Sequence, residues 1–374
     1  YHHGYFDGEE RAFRGFGRVE QWDTQTYSAY AGAGLFTQTP TVHEERFHLP
    51  PVRTVTWHHT GAAFEQEQLE EIYKKEYYAG DLQAYLLPDT AIPAGLSPQE
   101  QRDAYRALKG GMLRQEVYAE DDTPQQAHPF TVTEGCARVR LLQPTQDGFL
   151  AVFLVMPSES LQFHYERHPE DPRIQHEMTL EVDAYGQPIH TAQISYPRRN
   201  PPAGMPEQAV LSVVTTEHTL IHADQQVGWY RLGIPQASRS YEVTGLSIQQ
   251  WTPATLLQQL QAASTLSYEQ TPTHGLVQKR LLSRTRALYA KDDQTGPLAE
   301  GQVESLALPY ESYEQIFTSG LLQEVFDSKV DATLLQAAGY QWFDGVWWAA
   351  SGRAVLDAQH FYHPIQEIDV LGHT

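Results

Sequence analysis

HHGYFDGEERAFRGFGRVEQWDT, residues 2–24, packs histidines, acids, arginines, aromatics and four glycines into one short run. It reads as a strand, an FDGEE turn and a returning strand. Asp7 followed by Gly8 suits the turn, because Asp bonds its own backbone and Gly accepts positive φ. Gly4, Gly15 and Gly17 are expected to lie opposite aromatic rings of the neighbouring strand, as strand glycines often do. The aromatics and the arginines, Arg14 among them, are expected to pack on one face. The rival reading is a phosphate-cradling loop at Gly15-Phe16-Gly17. Such a loop needs small flanks, a strand before it and a helix after it. Here Arg14 and Arg18 flank it and the chain continues as a strand.

The rest of the chain repeats the pattern. ARVRLLQ (137–143), GFLAVFLVM (148–156), LQFHYERH (161–168), HEMTLEVDA (176–184) and AVLSVVTTEHTLIHA (209–223) alternate apolar and polar residues, which is the strand period. DAYG (183–186) and DVLG (369–372) place an acid and a glycine three apart, as tight turns require. EVYAEDDT and ALYAKDDQT read as hairpins with acidic tips, and Ser158-Glu159-Ser160 after Pro157 as a turn between two strands. Helical spacing is confined to 64–79, 97–110, 252–263, YESYEQIFTSGLLQEVF (310–326) and DATLLQAAG (331–339). Ser-Pro and Thr-Pro open the second and third of these, a strong start signal. The expectation is a mainly β protein of long antiparallel strands with a few short helical insertions. Four stretches follow: strands over 1–61, a helix-containing insertion over 62–118, antiparallel β over 119–250 and an α+β segment over 251–374.

Composition narrows the function. The 374 residues carry 26 Lys plus Arg against 47 Asp plus Glu, a formal net charge of −21. So acidic a body repels phosphate backbones, which argues against nucleic acid as a partner. The single cysteine, Cys136, excludes an internal disulfide or a Cys-rich zinc site. No apolar run approaches the roughly 18 residues of a membrane span, and no signal peptide opens the chain. The abrupt Tyr-His-His start reads as a piece of a longer protein.

The chemical readings are weak. His164 and His168 are four apart, a metal spacing on a helix, but on a strand residues four apart lie roughly 13 Å from each other. His58-His59 are adjacent and point to opposite faces; His360 and His363 read as packing or hydrogen-bonded groups. No G-x-S-x-G occurs, and Cys136 reads as a small buried residue at a strand start. With 47 acids a glycosidase pair cannot be picked out. Glu166, Arg167, Asp171 and Arg173 are expected to form a buried ionic network fixing strand register, with an arginine anion site as the alternative. No cofactor is indicated.

Taken in order, YHHGYFDGEERAFRGFGRVEQWDT, TWHHTGAAF, EYYAGDLQAYLLPD, AYRALKGGMLRQEVYAED, FHYERHPEDPRIQHEMTLEVDAYG, ALPYESYEQIFTSGLL and VWWAASGRAV resemble the B component of bacterial insecticidal toxin complexes. They match its middle region, between a β-propeller and the Rhs repeats; the SpvB virulence family is related. The resemblance implies part of a curved Rhs-type β-shell, or cocoon. With the C component it would enclose that component's toxic enzyme, in a secreted complex. The A component would be reached only through the propeller, outside this chain. The turn residues Asp183 and Gly186 resemble Rhs turns, with Val182 and Ile368 where those repeats carry Tyr.

Two other classes compete. An ADP-ribosyltransferase needs an arginine strand, a Ser-Thr-Ser strand and a Glu-x-Glu loop, which Ser-Thr-Leu-Ser at 264–267 and Val303-Glu304 do not supply. A carbohydrate-binding surface would need a row of exposed aromatics, for which Trp347-Trp348 is the one candidate.

Overall fold

The computed structural model describes residues 1–24, 49–62, 66–146 and 148–374. Two compact units divide the chain: residues 1–178 with 194–211, and residues 179–193 with 212–374.

In the first unit strands follow one another as antiparallel neighbours: β1 (His2–Asp7), β2 (Ala12–Trp22), β3 (Val52–His58), β4 (Met112–Ala119), β5 (Thr131–Gln143), β6 (Val152–His164) and β7 (Arg173–Val182). Between β3 and β4 the chain leaves the sheet to form α1 (Gln66–Glu76) and α2 (Pro98–Ala107). Ser97 starts α2 with a reciprocal capping box to Glu100 and Pro at the first helical position, the start signal read in the sequence. The helices cover one sheet face. Val55, Trp57 and Tyr118 pack on Tyr73 of α1, and Val139 packs on Ala104 and Leu108. Strand alternation sends the intervening residues to the other face. There Thr56, Gln115, Thr133, Gln162 and Gln175 lie in one cross-strand row of uncharged polar side chains.

The opening hairpin forms as read, with Gly4 opposite Phe16 and Tyr5 opposite Gly15. The expectation of a shared face fails. Phe13 and Phe16 are 52% and 38% exposed, while Arg14, the next residue after Phe13, is buried at 8%. Consecutive strand residues point oppositely, and the acids that can neutralise Arg14 lie on the helix side.

β6 holds another correction. Residues 157–160 are strand and not turn: Pro157 pairs with Ala137 where the β5–β6 register shifts between Cys136 and Ala137. A bulge relaxes the demand for a ladder N–H, so proline is accommodated. Cys136 accordingly sits mid-strand.

The second unit pairs β9 (Ser212–Ala223), β10 (Arg231–Thr244), β12 (Gln278–Tyr289), β13 (Pro309–Phe317), β15 (Val346–Ala350) and β14 (Gln341–Phe343) in that antiparallel order. The short β11 (Ser264–Leu266) joins β12 in parallel, and β16 (Arg353–Asp357) and β17 (His363–Ile368) form a hairpin apart. β8 (Pro188–Tyr196), like β7, contributes residues to both units. The helices are α3 (Pro253–Ala262), α4 (Ser319–Phe326) and α5 (Ala332–Ala337). The helix expected from residue 310 begins only after the Thr318 cap; Pro309–Phe317 is β13. Its tyrosines, Ile316 and Phe317 favour a pleated, half-buried surface.

Both acid-x-x-glycine turns share one construction. Asp183 Oδ1 accepts from the Tyr185 and Gln187 amides at 2.8 and 2.9 Å, and Asp369 Oδ1 from Leu371 and His373 at 2.9 and 2.8 Å. Gly186 and Gly372 take φ of 82° and 87°. Asp183→Ala removes the one carboxylate oxygen that accepts from both turn amides and is expected to cost about 1–2 kcal/mol. A lower urea midpoint checks it; an unchanged midpoint denies the turn its role.

Candidate functional site

The densest set of buried polar groups lies in the first unit, where the inserted segment crosses the sheet. β4 places Arg114, Glu116 and Tyr118 at alternate positions, so all three face the insertion. Arg114 and Glu134 are direct partners on β4 and β5. The Arg114 guanidinium donates to Glu116 at 2.6 Å and also to Glu134, and lies 4.7 Å from the Tyr77 ring centre. Glu116 further accepts from the Tyr118 hydroxyl at 2.6 Å and the Tyr78 amide at 2.8 Å; Glu134 accepts from the Leu87 amide at 3.1 Å. Burial disfavours the Arg114 charge, but the two glutamates outweigh it and its pKa rises. Burial and Glu116 push the Tyr118 phenol well above its usual range. Every charged group here is answered, and the glutamates reach past the sheet to main-chain amides of the insertion.

Further bonds fasten the same segment. Asp81 takes both Arg199 NH groups at 2.9 Å and the Tyr165 hydroxyl at 3.0 Å. Asp7, bonded to Arg14 at 3.1 Å, also meets Arg102 of α2 at 3.4 Å, and Glu10 meets Arg106. Backbone amides of Glu9 and Glu10 close an Asx turn on Asp7. Gly17 provides the contact for α1: a side chain there would overlap the Tyr73 hydroxyl.

Across β5 to β8 runs a chain of polar contacts. Cys136 Sγ lies 3.9 Å from Glu159, Glu159 lies 3.0 Å from His176 Nε2, and His176 Nδ1 lies 3.3 Å from the Tyr196 hydroxyl. Cys136 borders a cavity of about 320 Å³ beneath residues 77–90. A cysteine protease geometry would set the imidazole against the thiol; here a carboxylate stands between them. Burial pushes the thiol up to about 12, so it stays protonated and unreactive at neutral pH.

His59 is also buried, its Nε2 3.3 Å from the Thr90 hydroxyl, which in turn accepts from the Ala137 amide at 3.4 Å. Desolvation lowers its pKa from 6.5 to about 4, with Asp89 opposing and His58 adding to the shift. The unfolded chain therefore binds the extra proton first. The stabilisation is complete above pH 6.5 and is lost as pH falls toward about 4, amounting to about 3 kcal/mol in all. Urea midpoints at several pH values should show His59→Gln with a shallower acid slope than wild type. Identical slopes would mean that His59 does not carry this loss.

The expected network of Glu166, Arg167, Asp171 and Arg173 resolves into separate pairs. Arg167 binds Asp121 at 2.7 and 2.9 Å, Asp171 binds Arg198 at 2.7 Å, and Arg173 meets Glu166 at an exposed site. Glu166 and Arg167 both have positive φ, 50° and 68°, so the turn sends their side chains apart. Alternating charged residues on β4 were the signal that could have revealed the Arg114 centre from sequence.

Two histidines raised for other chemistries sit beside local acids: His168 lies 3.8 Å from Glu170 and His360 2.5 Å from Asp357. Glu304 accepts from the Asp292 amide at 2.6 Å. Trp347 and Trp348 are 5% and 0% exposed, so both sides are core and no sugar platform forms there. Among the described residues no group of three or more His, Cys, Asp or Glu could hold a metal ion, and no helix is long and apolar enough to cross a membrane.

These features define a class: an antiparallel β protein of long consecutive strands with an inserted helical segment, its buried charges committed to joining strand to strand and strand to insertion. Residues 103–252 match the family model described as the insecticide toxin TcdB middle/C-terminal region. Those residues are similar to that middle region, and a likeness to solved structures extends over nearly the whole chain. The chain superposes on the crystal structure of TcdB2–TccC3 with TM-score 0.76 and 25% identity, covering 99% of this chain and 18% of that one. The same complex without the hypervariable C-terminal region gives 0.72 and 25% over 99% and 18%. The Tc holotoxin pore of Photorhabdus luminescens gives 0.71 and 25% over 97% and 17%. The chain thus spans less than a fifth of the length of these solved chains. No curated protein sequence matches it.

Proposed function

We propose that this segment is a non-catalytic stretch of wall in a toxin-complex B component. Together with a C component it would form the shell that holds the C component's toxic enzyme for delivery in a secreted complex. The observation that carries this reading is the likeness to TcdB2 in TcdB2–TccC3 over nearly the whole chain. The site chemistry supports it. Arg114, Glu116, Glu134, Asp81 and Arg199 hold segments together, and the nearby thiol is kept protonated. A wall must be continuous and stiff, and consecutive antiparallel pairing supplies that without long crossovers. The turn residues Asp183 and Gly186 and the hairpin residues Gly4, Asp7, Gly8, Arg14, Gly15 and Gly17 serve the same purpose: they set where strands reverse and where helices dock. The four stretches 1–61, 62–118, 119–250 and 251–374 are consecutive parts of that wall.

The test uses the full B component assembled with its C component. Protease is added and survival of the enclosed enzyme is followed by immunoblot. Intact assembly should protect the enzyme, and Arg114→Met, which loosens the insertion, should shorten its survival. Equal survival with a demonstrably loosened insertion would remove this segment from the enclosure.

A further inference from the structure

We propose that the second unit carries a binding site for a small anionic ligand, a carboxylate- or phosphate-bearing molecule of monosaccharide size, held between Arg239 and Arg284. The proposal does not depend on the shell role.

β10 and β12 pair so that Arg239 and Arg284 are direct Cα partners. Residues directly opposite in an antiparallel pair project from the same face, and like charges there destabilise the pairing. The surrounding basic residues of β12 are each answered by an acid: Lys279 by Glu217, Arg280 by Glu242 and Arg286 by Glu300. Arg284 donates to Asp344 at 2.7 Å and lies 5.2 Å from the Trp348 ring centre. Glu217, the direct partner of Arg239 on β9, is taken by Lys279, and among the described residues no carboxylate lies within ion-pair distance of Arg239, whose polar neighbour is the Tyr241 hydroxyl. One guanidinium is thus half committed, and the other shares its facing carboxylate with Lys279, on one face of the sheet. An anion between them would remove the repulsion and accept the forked donors that arginine offers to carboxylate and phosphate.

A cavity of about 520 Å³ opens at this pair, within the range of roughly 300–1,000 Å³ for small-molecule sites. Tyr241, Tyr268 and Leu281 supply apolar wall; Ser283 and Gln315 supply hydrogen-bonding groups. The far end fixes the direction of binding. There the Glu269 carboxylate accepts from the Thr318 hydroxyl at the start of α4, so that helix terminus already has its anion and repels another. A ligand therefore points its charge at the arginines and a neutral, hydroxylated body toward Glu269.

Isothermal titration of the 374-residue chain at fixed ionic strength and neutral pH tests this, with glucose 6-phosphate, glucuronate and neutral glucose as probes. Saturable binding of either anionic probe without binding of glucose is expected, and which of the two binds identifies phosphate or carboxylate as the recognised group. Arg239→Gln, an exposed change that should leave thermal unfolding intact, is expected to weaken binding by about tenfold or more. Arg173→Gln, at an exposed ion pair in the first unit, should leave it unchanged. The proposal is overturned if neither anionic probe binds, if glucose binds equally well, or if Arg239→Gln binds like wild type.

Discussion

Arg114→Met is expected to be among the most damaging single changes in the first unit. It leaves the buried carboxyl groups of Glu116 and Glu134 without their cation, a situation that typically costs about 3–5 kcal/mol. The two carboxylates also hold the Tyr78 and Leu87 amides, so the loss should appear first as release of the insertion. Limited proteolysis should cut within residues 77–90 before the strands melt, and the urea midpoint should fall. The triple change Arg114→Met, Glu116→Gln, Glu134→Gln should be less harmful than the single one, because the stranded charges are gone. A triple variant as unstable as the single would show that packing, and not charge, is what Arg114 contributes.

Gly17→Ala is the second large effect. The Tyr73 ring of α1 occupies the space where a Cβ would stand, and Tyr73 is itself almost wholly buried among Val55, Trp57 and Tyr118. The helix must shift or the ring must leave its pocket, which is expected to cost about 2–4 kcal/mol, as for an overpacked core. Adding Tyr73→Phe removes the nearest clashing atom and should restore part of the stability. If Gly17→Ala melts like wild type, α1 is not docked through that contact.

What the sequence revealed follows from how local each signal is. Ser97-Pro98 and Thr252-Pro253 announce helix starts within four residues, and both helices begin there with capping boxes. The DAYG turn is equally local: its aspartate binds amides two and four residues on. Pro157 misled because proline breaks a strand unless a bulge removes the need for its N–H; β6 carries the extra residue, Ser158, and only pairing with β5, some twenty residues earlier, defines it. β13 misled because its aromatics and acids also fit helical spacing; pairing with β12 and β15 settles it as strand. The ion pairs were illegible for the same reason. Arg167 finds Asp121 and Arg199 finds Asp81, partners 46 and 118 residues away, and no local pattern names them. The Arg114 centre sits between these cases: alternating Arg114, Glu116 and Tyr118 on one strand face was visible, but that the face is buried depends on an insertion folding over it.

The wall role meets its most direct test in a cryo-electron microscopy structure of the full B component assembled with its C component. The account predicts β1 to β7 as continuous wall of a closed shell, with the Arg114–Glu116–Glu134 centre joining insertion to sheet and the C component's enzyme enclosed. Density placing this segment outside a shell that closes without it would contradict the account.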